Sequence, residues 1–434
     1  MDTGKKKIKI GLALSGGGYR AAAFHLGVFR KLKKLNLIDK IDVISTVSGG
    51  SIAGTYYAIH KDNFEVFENS FVENLRKSTV RRIIWHWRFW LPIIILLGFL
   101  GIIFFNPFNL TLPKWVICIE VLIILLALIF GQFKIISFTK LKIGAYTKIF
   151  FGNKVISDLP DSPILAINAT NLSTGTSWTF SKNKSSDSSY DFPNDGGKAI
   201  KFICGKMPLA TAVASSSCVP FPFDPVSIKE EYFEHSKDFK RIAPKLIDGG
   251  LYDNQGIHKL TQKNSPYFCD IIIVSDGSLP FSSKYRSSST IFILYRGIDV
   301  MMRKIKNLQF NRDISSRQEI AYFSLDWKYK FCLVEFIKAA KNKLVLPMVL
   351  SYHGLTNVIL EKSMEELLHL LSDKIHFNKI VEQGLTNKEI KKISSIKTNL
   401  TALKSRDIAL LSRHGEILTE IQIKLYCPTL ITEF

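Results

Sequence analysis

Ser48 lies in a sequence context that suits a nucleophilic serine. It follows the mostly apolar run 41–47 and is followed directly by Gly49 and Gly50. A serine on a sharp turn between a strand and a helix exposes its hydroxyl, and the crowded backbone needs small residues after it. A serine in a glycine turn can also serve only as a helix cap. Ser48 is therefore a candidate nucleophile, and Gly49 and Gly50 are the residues that permit its turn.

A glycine-rich loop near the start of the chain could bind negative charge. Gly16, Gly17 and Gly18, followed by Arg20, lie between an apolar run and a segment with helical periodicity. Backbone N–H groups at a helix N-terminus bind phosphates, and the same groups can stabilise the oxyanion of acyl transfer. A phosphate loop would need a Lys-Ser/Thr pair, and a dinucleotide loop needs a third glycine where this chain has Ala21. A nucleotide-binding protein is thus the less favoured alternative.

A nucleophilic serine needs a base, and Asp248 is the candidate that the sequence offers. It ends the apolar segment 245–248 and precedes two glycines, which could place it at the edge of a sheet. An Asp-Gly pair is also common in plain turns. His25 and His258 have no motif around them, and we expect both to be structural or on the surface. No metal-binding spacing of residues occurs, so we expect no metal and no cofactor.

Segments typical of strands and helices alternate along the chain. Five short apolar runs predict strands: 9–14, 41–47, 164–168, 245–248 and 271–274. Helical segments, 21–35 and 51–60, follow the first two of them. Such alternation predicts an α/β fold with a mostly parallel sheet. In such folds the functional residues gather at the carboxyl ends of the strands.

The chain is strongly basic, with 58 Lys and Arg against 37 Asp and Glu and a net charge of +21. Such an excess indicates a polyanionic partner, either nucleic acid or an anionic membrane. The segment 74–157 has a single acidic residue, Glu120, and two apolar runs, 91–105 and 115–130. Each run is close to the shortest helix that crosses ~30 Å of hydrocarbon. We predict an apolar hairpin, either transmembrane or re-entrant, with buried helices of a soluble domain as the alternative.

Basic residues border both sides of this hairpin, whereas its central turn, 106–114, carries only Lys114. The bordering residues are Arg76, Lys77, Arg81, Arg82 and Arg88 before it and Lys134, Lys140, Lys142, Lys148 and Lys154 after it. The positive-inside rule then places both flanks in the cytoplasm. No nucleic-acid-binding motif is visible, so we expect a phospholipid membrane as the partner and no nucleic acid. The polar start, 1–7, argues against a cleavable signal peptide, and the oligomeric state stays open.

Several blocks of sequence, in order along the chain, resemble the patatin-like phospholipase family. GLALSGGGYRAAAFHLGVFRKL (11–32) resembles its glycine-rich oxyanion loop, and ISTVSGGSIAGT (44–55) resembles its nucleophile elbow. INATNLSTG (167–175) with ATAVASSSCVPFPFDPV (210–226) is similar to its middle blocks. LIDGGLYDNQGI (246–257) resembles the block that contains its catalytic aspartate.

The resemblance implies a three-layer α/β/α sandwich and a Ser-Asp dyad that needs no histidine. Ser48 would attack the carbonyl of a fatty-acyl ester, and Asp248 would act as its general base. The N–H groups of the glycine loop 16–18 would stabilise the oxyanion, with Arg20 holding that loop. Two positions depart from the family pattern, since Thr46 replaces the first glycine of the elbow and Ala21 the last glycine of the loop. Neither change removes a reacting group.

The predicted hairpin divides the expected catalytic core into two parts. We predict residues 1–75 as its first part, 76–150 as a membrane hairpin insertion with basic flanks, and 151–434 as its second part with C-terminal helices. The expected protein is a membrane-associated serine acyl hydrolase acting on phospholipids or lysophospholipids from the cytoplasmic side. A catalytically silent lipid-binding or scaffold protein of the same fold is the alternative, which the intact Ser48, Asp248 and glycine loop disfavour.

Overall fold

One mixed sheet organises the molecule. The computed structural model describes residues 7–105, 115, 119, 121–124, 126, 130–193, 196–283, 285–314 and 318–432. Within these residues nine strands form the sheet: β1 (Ile10–Leu14), β2 (Val43–Val47), β3 (Ile164–Asn171), β4 (Thr176–Phe180), β5 (Ser185–Ser186), β6 (Val226–Ser227), β7 (Lys245–Asp248), β8 (Ile271–Asp276) and β9 (Glu319–Ser324).

The centre of the sheet is parallel, in the order β3-β2-β1-β8-β9. The strands β4 to β7 are antiparallel and extend the sheet around β3. This arrangement confirms the predicted α/β fold with a mostly parallel sheet. All five predicted strands are present, and β3 continues past the predicted run to Asn171.

Helices surround the sheet. Those of six or more residues are α1 (Gly18–Lys34), α2 (Gly49–Ala58), α3 (Phe64–Leu75), α4 (Thr79–Ile84), α5 (Trp87–Phe105), α6 (Phe138–Tyr146), α7 (Leu209–Ser216), α8 (Thr290–Ile314), α9 (Tyr329–Lys341), α10 (Pro347–Tyr352), α11 (Met364–Ile375), α12 (Asn387–Ser394) and α13 (Ser405–Tyr426). One-turn helices also occur, among them Gly250–Asp253 and His258–Thr261.

Both faces of the central strands are buried, which explains why β1 is apolar at every position. Leu12 and Leu14 belong to the larger core, which packs beneath α1, α2 and α13. Ala13 points to the opposite face, where Leu260 and Tyr267 contribute to a smaller core. Because side chains alternate along a strand, a sheet covered on both sides needs apolar residues at odd and even positions alike.

The strands β2 and β7 meet end to end along one side of β3. Val47, the last residue of β2, pairs with Asn168, and Asp248, the last residue of β7, pairs with Ala169. The strand β7 runs antiparallel to β3, whereas β2 runs parallel to it. The two strands therefore point towards each other, and their carboxyl ends meet at neighbouring positions of β3.

The described structure covers only part of the predicted hairpin. The helix α5 contains the first apolar run, 91–105. The turn 106–114 and most of the second run, 115–130, lie outside the described residues. In the part of the chain that the structure describes, no helix combines the length and the apolar character needed to span a bilayer. The transmembrane part of the predicted fold class is therefore not supported.

The basic flank after the hairpin is partly buried, which corrects one of its predicted members. Lys142 lies on α6 and is fully buried, so it faces the protein core and not a lipid headgroup. Tyr146 on the same helix is also fully buried. The helix α6 is therefore part of the packed core, although it lies inside the predicted insertion 76–150. The three predicted units remain a sequence interpretation.

Candidate active site

Ser48 occupies a strained turn between β2 and α2. Its backbone has φ 50° and ψ −111°, a conformation that residues other than glycine rarely adopt. The turn is held in place on β3, because the N–H of Ser48 donates to Ser216 Oγ at 2.9 Å and this hydroxyl donates to the Asn168 carbonyl at 2.5 Å. A Cβ on Gly49 would lie 2.3 Å from the Gly18 carbonyl oxygen, so only glycine fits after the serine.

Asp248 is buried and lines the same cavity as Ser48. Its Oδ1 accepts the N–H of Gly250 at 2.7 Å. Burial raises the pKa of Asp248 above its ordinary value, and the N–H of Gly250, the nearby hydroxyl of Ser48 and the charge of Lys142 limit that rise. A carboxylate with a raised pKa is a better proton acceptor than an ordinary aspartate. The structure thus brings together the two residues that the sequence singled out.

The end of α7 holds both residues in register. The N–H of Asp248 donates to the Cys218 carbonyl at 2.9 Å, and the N–H of Gly249 donates to the Ser216 carbonyl at 3.2 Å. Since Ser216 Oγ also accepts the N–H of Ser48, one short segment fixes the backbones of both residues. The block 210–226 resembles the family in sequence, but its contact with the turn at Ser48 depends on the packing of α7.

The glycine loop 16–18 lies next to the serine turn, with different roles for its members. The N–H of Gly16 donates to the Asn254 carbonyl at 2.9 Å, so it is already occupied, which disagrees with its predicted role as an oxyanion donor. The N–H groups of Gly17 and Gly18 make no hydrogen bond to any of the described residues. Gly17 has φ 143° and lines the same cavity as Ser48. These two N–H groups are the ones that remain available for an anion.

Arg20 does not line the cavity, and its contacts are with backbone carbonyl groups inside the protein. Its side chain is fully buried and donates to the Gly277 carbonyl from Nε at 3.2 Å and from Nη2 at 3.0 Å. Its Nη1 donates to the Ile396 carbonyl at 2.5 Å. Burial lowers the pKa of Arg20 to about 10. The guanidinium group therefore ties the start of α1 to the segment after β8, and its hydrogen bonds are used within the protein.

The cavity that contains Ser48 and Asp248 has a volume of about 550 Å³. Its apolar side chains are Val219, Pro220, Leu251, Leu279, Pro280, Phe281, Phe292, Tyr295, Ile298 and Met302. None of its described lining residues is a histidine. His25 lies elsewhere, with Nδ1 2.8 Å from Ser275 Oγ and Nε2 3.0 Å from the Ser15 carbonyl, and burial lowers its pKa to about 4. Burial also lowers the pKa of His258 to about 4. Asp248 therefore stays the candidate base for Ser48.

The helix α8 forms one wall of this cavity and is anchored to the sheet. Lys306 donates to Asp276 Oδ2 at 2.6 Å, and the Tyr322 hydroxyl donates to the same oxygen at 2.6 Å. Burial alone would raise the pKa of Asp276, but the charge and hydrogen bond of Lys306 and the hydroxyls of Ser278 and Tyr322 outweigh it. Together they hold this pKa well below its ordinary value. The carboxylate is thus a fixed charge that positions α8.

A family comparison agrees with this geometry. The model of the family described as patatin-like phospholipase matches residues 12–261, more than half of the chain. The chain belongs to the patatin-like phospholipase family. The matched segment runs from β1 through the glycine loop, Ser48 and Asp248 to the one-turn helix that ends at Thr261. No curated protein matches the sequence.

Several solved structures are similar to this patatin-like chain at low identity. Human GIVD cytosolic phospholipase A2 is 12% identical, with a TM-score of 0.48, and the match covers 98% of this chain and 62% of that one. The same human enzyme in complex with a methyl gamma-linolenyl fluorophosphonate inhibitor and terbium chloride is 13% identical, with a TM-score of 0.46 over 98% of this chain and 59% of the other. VipD from Legionella pneumophila is 12% identical, with a TM-score of 0.29, over 95% of this chain and 92% of its own. The chain thus spans less than two thirds of the length of the human structures.

Lys142 is a residue near the site whose position the sequence did not predict. It is buried in the patatin-like core, where its charge acts on Asp248. Its ammonium group donates to the Ser217 carbonyl at 2.8 Å and the Ala214 carbonyl at 3.3 Å, at the C-terminal end of α7. Helix C-termini leave carbonyl groups without partners and favour a positive charge. The ammonium group also lies 4.0 Å from the centre of the Phe223 ring. Burial lowers the pKa of Lys142, and the charge of Asp248 opposes that change.

Replacing Lys142 by methionine is expected to move the acidic limb of the pH profile. The charge of Lys142 lowers the pKa of Asp248, so its removal raises that pKa further. A base with a higher pKa is protonated at higher pH, and kcat/KM should therefore begin to fall at a higher pH than in the parent. Ester hydrolysis measured across the acidic range tests this expectation. Lys140→Met on the same helix, where Lys140 is exposed, is the matched control. An acidic limb that does not move would contradict the electrostatic link.

Among the described residues, no group of three or more His, Cys, Asp or Glu side chains is arranged to bind a metal ion.

Proposed function

We propose that this protein is a lipid acyl hydrolase that cleaves fatty-acyl ester bonds of phospholipids or lysophospholipids through Ser48 and Asp248. The observation that carries the proposal is that Ser48, on its strained turn, and the buried Asp248 line one cavity, together with a group of apolar side chains. The apolar part of this cavity suits a fatty-acyl chain. Membership of the patatin-like phospholipase family supports the same class of substrate.

In the first half of the reaction, Asp248 takes the hydroxyl proton of Ser48 as its oxygen attacks the ester carbonyl. The negative charge then develops on the former carbonyl oxygen. The N–H groups of Gly17 and Gly18 are the donors proposed to stabilise it, because the N–H of Gly16 is already bonded to Asn254. Collapse of the tetrahedral intermediate breaks the bond to the leaving alcohol, which receives the proton held by Asp248. The acyl group remains on Ser48 as an ester.

In the second half, water replaces the alcohol. Asp248, again a carboxylate, takes a proton from the water as its oxygen attacks the acyl-serine. The same two N–H groups stabilise the second oxyanion, and its collapse returns the proton from Asp248 to the Ser48 oxygen. The fatty acid leaves. One carboxylate therefore serves as base and acid in both halves, and no histidine is required.

Fatty-acid release and active-site labelling test the proposal. The purified protein is mixed with phospholipid and lysophospholipid micelles, and released acid is measured by mass spectrometry. A fluorophosphonate probe in a parallel sample should label Ser48, as identified by peptide mapping. We expect both release and labelling. A folded protein that neither releases acid from any ester nor reacts with the probe would overturn the proposal in favour of a silent lipid-binding protein.

The proposal includes association with the cytoplasmic face of a membrane through α5 and its surroundings. Trp85 and Trp87 before and at the start of α5 are 75% and 61% exposed. On α5 itself Ile94, Ile95 and Leu97 are each more than 60% exposed. Exposed apolar side chains next to tryptophans and basic residues are typical of a segment that enters the membrane interface.

The five cysteines among the described residues are all unpaired, in keeping with a reducing compartment.

A triple substitution of Ile94, Ile95 and Leu97 by serine is expected to weaken vesicle binding. Burying an aliphatic side chain contributes roughly 1.5–3 kcal/mol, so losing three should reduce the bound fraction by more than tenfold. Co-flotation with anionic phospholipid vesicles measures this. The control replaces Leu344, Val358 and Leu370 by serine, since these apolar residues are also exposed but lie in the C-terminal part of the chain. Equal binding by the α5 variant and the parent would contradict the membrane role.

A further inference from the structure

One face of α8 carries charged side chains into the catalytic cavity. Arg296, Asp299, Arg303 and Lys306 occupy positions i, i+3, i+7 and i+10 of this helix, and all four line the cavity with Ser48. At 3.6 residues per turn this spacing places them on one side of a helix. This face of the helix therefore borders the cavity of the candidate nucleophile.

Arg296 is fixed in place at the wall of the cavity. Its guanidinium carbon lies 3.7 Å from the centre of the Phe281 ring and 5.3 Å from that of Tyr285. Its Nη2 donates to the Ser282 carbonyl at 2.6 Å, and its Nη1 lies 3.9 Å from Asp299 Oδ2. Stacking on rings and a hydrogen bond to the backbone restrict the side chain to one orientation, so little conformational entropy remains to be lost when a ligand binds.

Arg303 shares the same aromatic ring but has no acidic partner of its own. Its guanidinium carbon lies 4.8 Å from the centre of the Phe281 ring. Among the described residues, no carboxylate oxygen lies within 4 Å of its nitrogens, whereas Arg296 has Asp299 and Lys306 has Asp276. Two guanidinium groups over one ring repel each other, and only one of them has a nearby carboxylate. An anion between them would relieve this repulsion and gain charge-assisted hydrogen bonds from both.

This pair of arginines lies close to the residues proposed to react. The Met302 methyl group, next to Arg303 in the chain, is 3.2 Å from the position that a Cβ on Gly250 would occupy. Tyr295, next to Arg296, has its pKa raised by burial and by the negative charges of Asp299 and Asp248. The helix α8 therefore packs against the Asp248 turn at the positions that adjoin both arginines. Arg296, Arg303 and Ser48 line one cavity, which is the arrangement that a single ligand with two functional groups needs.

We infer that Arg296 and Arg303 form a subsite for the phosphodiester group of a phospholipid whose ester lies at Ser48. The inference rests on the proposed hydrolase function and deepens it, because it selects phospholipids over uncharged esters. The planar guanidinium fork matches phosphate oxygens and presents two parallel donors to them. In a glycerophospholipid only the short glycerol backbone separates the phosphate from the ester, which suits two groups on one cavity wall.

The test compares Arg303→Gln and Arg296→Gln with the parent on two monomeric substrates that share their acyl groups, a short-chain phosphatidylcholine and a short-chain triacylglycerol. Removing a hydrogen bond to a charged group should lower kcat/KM for the phosphatidylcholine by about 10- to 100-fold for Arg303→Gln, with little change for the triacylglycerol. Lys304→Gln is the matched control, because it removes the same charge from the adjacent, exposed position that does not line the cavity.

Each outcome decides between the subsite and its rivals. Equal losses on both esters would overturn the subsite, since they indicate a general defect in catalysis or packing. Unchanged kinetics on the monomeric phosphatidylcholine combined with weaker co-flotation with phosphatidylcholine vesicles would overturn it in favour of a surface contact with bulk membrane phosphates. Selective loss on the phosphatidylcholine, with Lys304→Gln unaffected, supports it. A parent that hydrolyses neither ester instead contradicts the hydrolase proposal itself, so the two failures are distinguishable.

Discussion

Replacing Ser48 by alanine is expected to lower the rate of fatty-acid release by about 10⁴-fold or more. The remaining rate is the small acceleration that substrate binding and the oxyanion donors still provide. The alanine variant keeps the backbone of the turn but has no oxygen to attack the ester carbonyl. The N–H of residue 48 can still donate to Ser216, so the turn on β3 should remain intact. Fluorophosphonate labelling should disappear together with hydrolysis, and both are measured on the same preparation.

The control for this experiment is Ser215→Ala. Ser215 is fully buried, but its hydroxyl donates only to the Thr211 carbonyl within its own helix, α7. Its removal should leave hydrolysis close to that of the parent. Hydrolysis that persists in Ser48→Ala, with an unchanged thermal unfolding temperature, would mean that another group is the nucleophile. Loss in both variants would point to a general disturbance of the serine-rich segment instead.

The two candidate positions, Ser48 and Asp248, could be found from the sequence because their signals are local. Ser48 ends an apolar run and is followed by two glycines, and Asp248 shows the same combination. How they meet could not be found in this way. A run of four residues such as β7 does not encode whether it pairs parallel or antiparallel, since apolar character only reports burial. The end-to-end approach of β2 and β7 along β3 depends on register, which is set by distant parts of the chain.

Lys142 shows a different limit of sequence patterns. A lysine that follows a long apolar segment is typical of a membrane flank, and its neighbours Lys134 and Lys140 are indeed exposed. Lys142 instead finds its partners at the C-terminal end of α7, where carbonyl groups of Ala214 and Ser217 need donors. No local signal marks this contact, because helix ends become visible as partners only when the helices pack. The same holds for Gly16, whose N–H donates to the carbonyl of Asn254, a residue far along the chain.

Replacing Asp248 by asparagine is expected to lower kcat/KM by about 10³- to 10⁴-fold, a loss of the size found when the acid–base partner of a nucleophilic serine loses its function. Asparagine fills the same space and can still accept the N–H of Gly250, but it cannot take the proton of Ser48. The parent should lose activity as the pH falls through the pKa of Asp248, which burial raises above its ordinary value. The residual activity of the variant should lack this acidic limb, and hydrolysis measured as a function of pH tests both expectations.

Thermal unfolding separates this loss of activity from a loss of folding, because the substitution should lower activity without lowering the unfolding temperature. The folded pKa of Asp248 lies above the unfolded one, so the folded state binds the proton more tightly, and stability falls as the pH rises from the unfolded pKa through the folded pKa. At neutral pH the buried carboxylate therefore costs stability, and the uncharged asparagine should unfold at the same or a higher temperature than the parent. Asp238→Asn, a buried aspartate near Arg241 that does not line the cavity, is the control. If Asp248→Asn were both inactive and less stable than the parent, its loss of hydrolysis would be explained by a damaged structure. The result would then give no evidence for Asp248 as the base.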